Sequence, residues 1–520
     1  MWLHSEIRTL GDIPRHYAQT MPESPALIDA AGADSWARLD SRSNQVARVM
    51  LDLGITPGDR VALLGKNFKQ YFEVLFGVGK VSASLVPLNW RLAKPELVGI
   101  INDARPAVLL VDEEYADTAA AVIAASDTTC RVIGYDSANP DRGEWAGLVA
   151  AASDTDPGIE VNPWETVVLM YTSGTTGLPK GVQLSHQNYL YLRLCEHLEP
   201  SFNYTADDVM LTVMPLFHAM GVGLSLQALY NGAAVAVYSM PTPAELIELI
   251  ERDRPTILPL VPAVIQMMLE VAGESTEVFA PVRVVVYAGA AMPMAVLQRA
   301  LKAMDCDFIQ FYGSTETAAG VTFLRPEQHR QGAKLETCGS PLPLVEIKIA
   351  DPLGDEVPDG AVGEFLIRAP SLTTGYFNQP ELTAAAFAGG WYHSGDAGFR
   401  DEEGFLHLVD RVKDMIITGG ENVYSTEVEN ALGQVDGVQM CAAVGLPDDK
   451  WGERVVGVVV ADPSAALTEA TVIAQCRELI AGYKVPKEIR FLNELPMTAS
   501  GKVMKNSLRE QIRANGEGAS

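Results

Sequence analysis

Apolar runs rich in β-branched residues recur along this chain between stretches of helical pattern, and they leave few folds open to it. Examples are RVALLG (60–65), AVLLVD (107–112), TILPLV (256–261) and VRVVVYAG (282–289). Strands alternating with helices imply α/β layers with largely parallel sheets. A chain of 520 residues is too long for one core and divides into at least two domains. The clearest composition change comes at DRVKDMIITGGENVYS (410–425), where charge and a Gly-Gly pair follow the strand-like FLHLVD. Beyond it, VVGVVVAD (455–462) and a helical pattern over 471–481 predict a compact α+β unit of about 110 residues. The expected division is therefore a large α/β N-terminal domain of layered sheets and helices, 1–411, and a smaller C-terminal domain, 412–520.

The chain is 48% hydrophobic and 20% charged, the balance of an ordinary globular protein. Its start, MWLHSEIRTLGDIPRHY, has no continuous apolar segment of the kind a secretory signal needs. Cys130, Cys195, Cys306, Cys338, Cys441 and Cys476 lie far apart with no C-x-x-C pair, which predicts reduced thiols in a cytoplasmic protein. A net charge of −27 argues against nucleic-acid partners and against anionic membrane surfaces. The same charge opposes ATP, so a nucleotide site must supply its own cations and oriented amides. Residues 209–244 carry no charge, but Pro215, His218, Gly221, Gly223, Gln227 and Asn231 interrupt them. A spanning helix needs about 20 unbroken apolar residues; the segment reads as core that also lines a pocket, and no transmembrane segment is expected.

The stretch YTSGTTGLPKGV (171–182) follows the apolar run Val167, Val168, Leu169, Met170, which reads as a buried strand. Ser185 is placed to cap a helix beginning near His186. A strand, a glycine-rich loop and a helix is the arrangement in which backbone amides and a lysine hold phosphates. The loop is not the P-loop of kinases: that signature needs a hydroxyl residue directly after the lysine, and here Gly181 follows Lys180. It resembles, almost letter for letter, the phosphate loop of adenylate-forming enzymes, the superfamily of acyl-CoA synthetases, luciferases and peptide-synthetase adenylation domains.

The resemblance extends from about residue 10 to residue 510. It implies that Thr172, Ser173, Gly174, Thr175, Thr176, Gly177 and Lys180 bind ATP. PLFHAMG (215–221) is similar to the fourth core motif, implying that His218 borders the acyl pocket and assists there. VYAGAAMP (286–293) looks like the segment whose backbone, at Gly289 and Ala290, faces the adenine and acyl group. FYGSTET (311–317) looks like the fifth motif: Tyr312 and Gly313 at the adenine, Thr315 at the α-phosphate, and Glu316 with Thr172 holding Mg2+, a hard cation that takes oxygen ligands. WYHSGDAG (391–398) supplies Asp396, implied to accept the ribose hydroxyls with help from Arg411. Lys413 occupies the hinge position of a mobile C-terminal domain. Gly419, Gly420 and Glu421 in GGENVYSTEVE (419–429) resemble the loop that forms part of the coenzyme A tunnel. Lys502 in PMTASGKVMK (496–505) is the lysine implied to reach the α-phosphate during adenylation. Ser425 stands where many relatives carry proline, and Ala369 where a glycine commonly stands.

The resemblance implies a ligase that joins a carboxylic acid to AMP, releases pyrophosphate, and passes the acyl group to the thiol of coenzyme A. Peptide-synthetase domains carry an aspartate after the aromatic residue of the fourth motif; Phe217 is followed here by His218 and Ala219, which argues against an amino-acid substrate. The expected pocket walls, Ala219, Met220, Val222, Gly223, Ala288, Ala290, Ala318, Ala319, Gly320 and Val321, are small and apolar. They offer no cation for a second carboxylate and suit an alkyl, aryl or polycyclic acid; the substrate expected first is a fatty acid of medium or long chain. The alternatives are an aryl or steroid-side-chain acid, or a luciferase-like adenylating oxygenase. A homodimer is compatible with the resemblance.

Overall fold

The computed structural model describes residues 4–172, 179–273, 276–419, 421–448, 450–497 and 503–517. The apolar runs are strands: Arg60–Leu64, Val108–Asp112, Ile257–Leu260 and Val284–Tyr287 are buried at every position but Arg60. Burial on both faces is why they read as continuous apolar runs and not as alternation.

One compact unit consists of Met1–Glu346 and Arg368–Tyr392. Its described residues form a six-stranded and a nine-stranded sheet. In the first, Arg131–Tyr135, Val108–Asp112, Arg60–Leu64, Ser84–Leu88 and Thr166–Thr172 run parallel in that spatial order. Lys180–Ser185 closes that edge, antiparallel to Thr166–Thr172. In the second sheet Val209–Thr212, Ile257–Leu260, Val284–Tyr287 and Asp307–Tyr312 are adjacent and parallel, so the loops that follow them leave from one edge. Ligands of open α/β sheets bind at such an edge, beyond the carboxyl ends of the strands. The uncharged segment 209–244 resolves into the strand Val209–Thr212, the helix Ala219–Tyr230 and the strand Ala234–Val237, nearly all buried. Among the described residues no helix is long and apolar enough to cross a membrane. All six cysteines are free thiols.

The other unit consists of Ile347–Ile367 and His393–Ser520. The long antiparallel ladder of Val438–Asp448 with Gly452–Ala461 organises its five-stranded sheet. Helices Ser425–Leu432 and Glu469–Leu479 share a core with that ladder, in which Val428, Leu432, Val455, Val459 and Val472 are fully buried. Each such side chain contributes about 1.5–3 kcal/mol over its exposed state. This unit also takes in the residues on either side of position 411, and within it Ser425, at the start of its helix, donates its hydroxyl to Asp410 Oδ2 at 2.6 Å.

Candidate active site

The expected strand, loop and helix needs one correction. Thr166–Thr172 is the buried strand, and Ser185 caps the helix His186–His197, accepting from Asn188 N at 3.1 Å. Between them lies a strand, Lys180–Ser185, buried at every position but Lys180 and Gln183. Lys180 is therefore not at a helix terminus; it stands on a strand, opposite Thr172. Ser173, Gly174, Thr175, Thr176 and Gly177 lie outside the described residues.

A residue that the sequence reading passed over joins this hairpin to the fifth motif. Tyr376 bridges to Val182 on the Lys180–Ser185 strand. Its hydroxyl donates to Glu316 Oε1 at 2.9 Å, and its ring centroid lies 5.4 Å from Lys180 Nζ. Thr373 N donates to the Glu316 carbonyl at 2.7 Å and fixes the backbone of the motif. Burial and the Glu316 charge push the Tyr376 hydroxyl well above its ordinary pKa, so it stays a donor. Tyr376 thus ties Lys180 to Glu316, and Lys180 pairs with Thr172 across the hairpin. The Glu316 carboxylate and the Thr172 hydroxyl are oxygen donors of the type a hard divalent cation takes.

The remaining motifs of this unit follow the carboxyl ends of parallel strands. His218 and Ala219 come after Val209–Thr212, Ala288, Gly289 and Ala290 after Val284–Tyr287, and Tyr312 and Gly313 end and follow Asp307–Tyr312. Gly289 and Ala290 are exposed, and Tyr312, Thr315 and Glu316 half-buried. Gly313 has no room for a side chain: a Cβ would stand 2.0 Å from the Ala319 carbonyl oxygen. Gly320 is similarly pressed by the Phe311 ring, 2.5 Å from a Cβ. At Gly223 the helix Ala219–Tyr230 meets the turn at Ala318 and Ala319, where a Cβ would lie 3.1 Å from Ala318 O. That approach brings the helix that begins in the fourth motif against the turn that follows the fifth. Behind it, the buried Arg193 donates to the Gly223 carbonyl at 2.9 Å and pairs with Glu196, whose pKa burial raises to about 7. The Arg91 guanidinium stacks 4.2 Å over Trp90 and lies 6.0 Å from the Phe217 ring, with a buried Nη1 that finds no hydrogen-bond partner among the described residues.

In the second unit Asp396 is buried and pairs with Arg411, Nε to Oδ1 at 2.6 Å, across the antiparallel strands Tyr392–Arg400 and Leu406–Arg411. Lys413 is exposed just beyond. Thr418 pairs with Glu421; Gly419 has φ of +62°, a backbone that suits glycine, and a Cβ there would press on the Trp451 ring. Ser425 N and Oγ both donate to Asp410 Oδ2, and Lys505 Nζ bonds Ser425 Oγ and, at 2.8 Å, Glu429. A proline at 425 would lack that N–H, so this departure is built into a local network. Gly420 and Lys502 lie outside the described residues.

These features define an α/β protein of two units whose polar and glycine-bearing motifs follow the strand ends of the larger one. The AMP-binding enzyme model matches residues 14–377, and the AMP-binding enzyme C-terminal domain model residues 427–502. The chain is 35% identical to a fatty acid–[acyl-carrier-protein] ligase, ScoC, of Streptomyces coeruleorubidus, over 98% of this chain and 97% of that one. It is 36% identical to a feruloyl-CoA synthase of an Amycolatopsis species, over 97% and 99%. ATP-bound MatB from Rhodopseudomonas palustris superposes with a TM-score of 0.88 at 30% identity, covering 97% of this chain and 99% of that one. The o-succinylbenzoate coenzyme A synthetase of Bacillus subtilis with ATP and magnesium does so with a TM-score of 0.84 at 27% identity, covering 96% and 99%. The chain belongs to the AMP-binding enzyme family, in its acyl-CoA synthetase branch. It is an AMP-forming acid–CoA ligase, with magnesium as cofactor and ATP and coenzyme A as co-substrates.

Proposed function

We propose that the acid is hydrophobic, a fatty acid of medium or long chain. The observation that carries this reading is the close approach of Gly223 to Ala318 and Ala319, in two segments whose neighbouring residues Ala219, Val222 and Val321 are small, apolar and buried. The fatty-acid substrate in ScoC's name agrees with it. A second reading, an aryl acid with a polar substituent, is favoured by Arg91 beside Phe217 and by the feruloyl-CoA synthase. Release of pyrophosphate across fatty, aryl and steroid-side-chain acids tests the choice, with coenzyme A and an acyl-carrier protein as rival thiols. Turnover confined to hydroxylated aryl acids would overturn the first reading; light or oxygen uptake in place of thioester would make the protein an oxygenase.

In this reading Lys180 and the amides of 173–177 hold the phosphates, Gly289, Ala290, Tyr312 and Gly313 border the adenine, and Thr315 touches the α-phosphate. Thr172 and Glu316 would hold magnesium, which when bound neutralises charge on the phosphates. Asp396 accepts from the ribose hydroxyls, and Arg411 assists. The acid's carboxylate oxygen attacks the α-phosphorus while its bond to pyrophosphate breaks; Lys502 stabilises the charge that develops. The thiol then attacks the acyl carbon and AMP leaves. His218, Ala219, Gly223, Ala288, Ala318 and Gly320 form the acyl site, and Gly419, Gly420 and Glu421 line the approach of the thiol. Residues 412–520, hinged at Lys413, serve the two steps in turn, and such gating commonly limits turnover. A cytoplasmic location and pairing into a homodimer complete the proposal.

A further inference from the structure

We propose that His4, Glu6 and His16 form a binding site for a divalent cation of the zinc class, separate from the magnesium and nucleotide residues. One ligand atom from each lies within 4.8 Å of the other two. Glu6 Oε1 is 2.9 Å from His16 Nδ1 and 3.9 Å from His4 Nδ1. Bonds of about 2.0–2.1 Å in a tetrahedral zinc site separate ligand atoms by about 3.4 Å. The set therefore closes on an ion through side-chain shifts of about an ångström, with a fourth position left to water.

The two imidazoles are held in place and the carboxylate is at the mouth: their side chains are 21%, 13% and 53% exposed for His4, His16 and Glu6. The protonation of His4 follows from its neighbour. The Tyr17 hydroxyl has one hydrogen, which it donates to the Tyr230 carbonyl at 2.7 Å. Its contact with His4 Nε2, at 3.2 Å, must then be one it accepts. His4 carries its hydrogen on Nε2 and turns the Nδ1 lone pair toward Glu6 and His16. That is the tautomer a metal ligand needs, fixed by an outer partner as metal-bound histidines usually are. The Tyr17 and Tyr230 rings pack edge-on to His4, with centroids at 5.9 and 5.6 Å, and hold its orientation. Two imidazole nitrogens and one carboxylate suit zinc, cobalt or nickel; magnesium and calcium take oxygen donors. Because His16 lies on the helix Asp12–Thr20 and His4 and Glu6 precede it, the ion would fasten the start of the described chain to that helix.

The test is calorimetric titration of the untagged full-length protein with Zn2+ in the absence of nucleotide, with Co2+ absorption as a second readout. One equivalent of zinc should bind, and Co2+ should give the intense visible bands of a low-coordinate site. His16→Ala and the surface change Glu6→Gln should each weaken zinc by roughly 100-fold or more, and Tyr17→Phe by about 10- to 100-fold. Circular dichroism checks that each variant is folded, and Glu6→Gln should keep the ligase activity with magnesium. Zinc affinity in folded Glu6→Gln and His16→Ala equal to that of the unaltered protein would overturn the site, as would the absence of zinc binding to the unaltered protein.

Discussion

Asp396 has its carboxylate on Arg411 and little exposure, so its charge is ordered and available to a hydroxyl donor. If it holds the ribose, Asp396→Ala should lose roughly 1.5–3 kcal/mol of ATP binding, about 10- to 150-fold in Kd by calorimetry; an unchanged Kd would remove it from the ribose site. His186 makes a different prediction. It is wholly buried, accepts from Leu10 N at 3.0 Å, and burial lowers its pKa to about 3. A folded value below the unfolded one means stability present above about pH 6.5 and lost as the pH falls toward 3, at about 1.4 kcal/mol per pH unit. Urea midpoints should show the advantage of the unaltered protein over His186→Gln shrinking by about 2 kcal/mol between pH 7 and pH 5. An advantage that does not change with pH would mean that His186 is not buried neutral. Thr172, Glu316 and Asp396 were picked out in the sequence by the resemblance of their motifs to the family, since a stretch such as FYGSTET read alone is only a polar turn. Tyr376 and Arg91 were not, since each is one ordinary residue brought to the site by contacts far along the chain.

At the scale of elements, the strands were readable from apolar runs and the helix His186–His197 from its cap. The strand Lys180–Ser185 was not, because six residues of mixed character between a glycine-rich loop and a helix carry no period of their own. The helix Ser425–Leu432 shows a second limit. It starts on Asp410, so strand and helix join one compact unit although the composition changes between them. Asp410 and Ser425 stand on either side of the proposed hinge at Lys413, and a swing about that residue must part them. Ser425→Ala removes the hydroxyl that Asp410 and Lys505 share and should weaken this closure by about 1–2 kcal/mol. Proteolysis next to Lys413 should then be faster than in the unaltered protein. Identical cleavage rates would show that the contact does not restrain the hinge.

For the whole molecule, a net charge of −27 means that an anionic co-substrate is bound against the overall field, so its site must supply local cations. The division into two steps predicts opposite effects from two changes in the C-terminal domain. Lys502→Ala should slow adenylate formation by about 10²- to 10³-fold, roughly 3–4 kcal/mol, and largely spare thioester formation from acyl-adenylate. Gly420→Leu should leave pyrophosphate exchange intact and block the thiol step; equal losses in both steps for both variants would mean one fixed site. The chemistry beneath all of this is attack at the α-phosphorus, and phosphorus NMR of a reaction with acid, coenzyme A, magnesium and ATP reads it directly. AMP and pyrophosphate should appear in equal amounts, matched by acyl thioester. ADP and inorganic phosphate in their place would contradict the account.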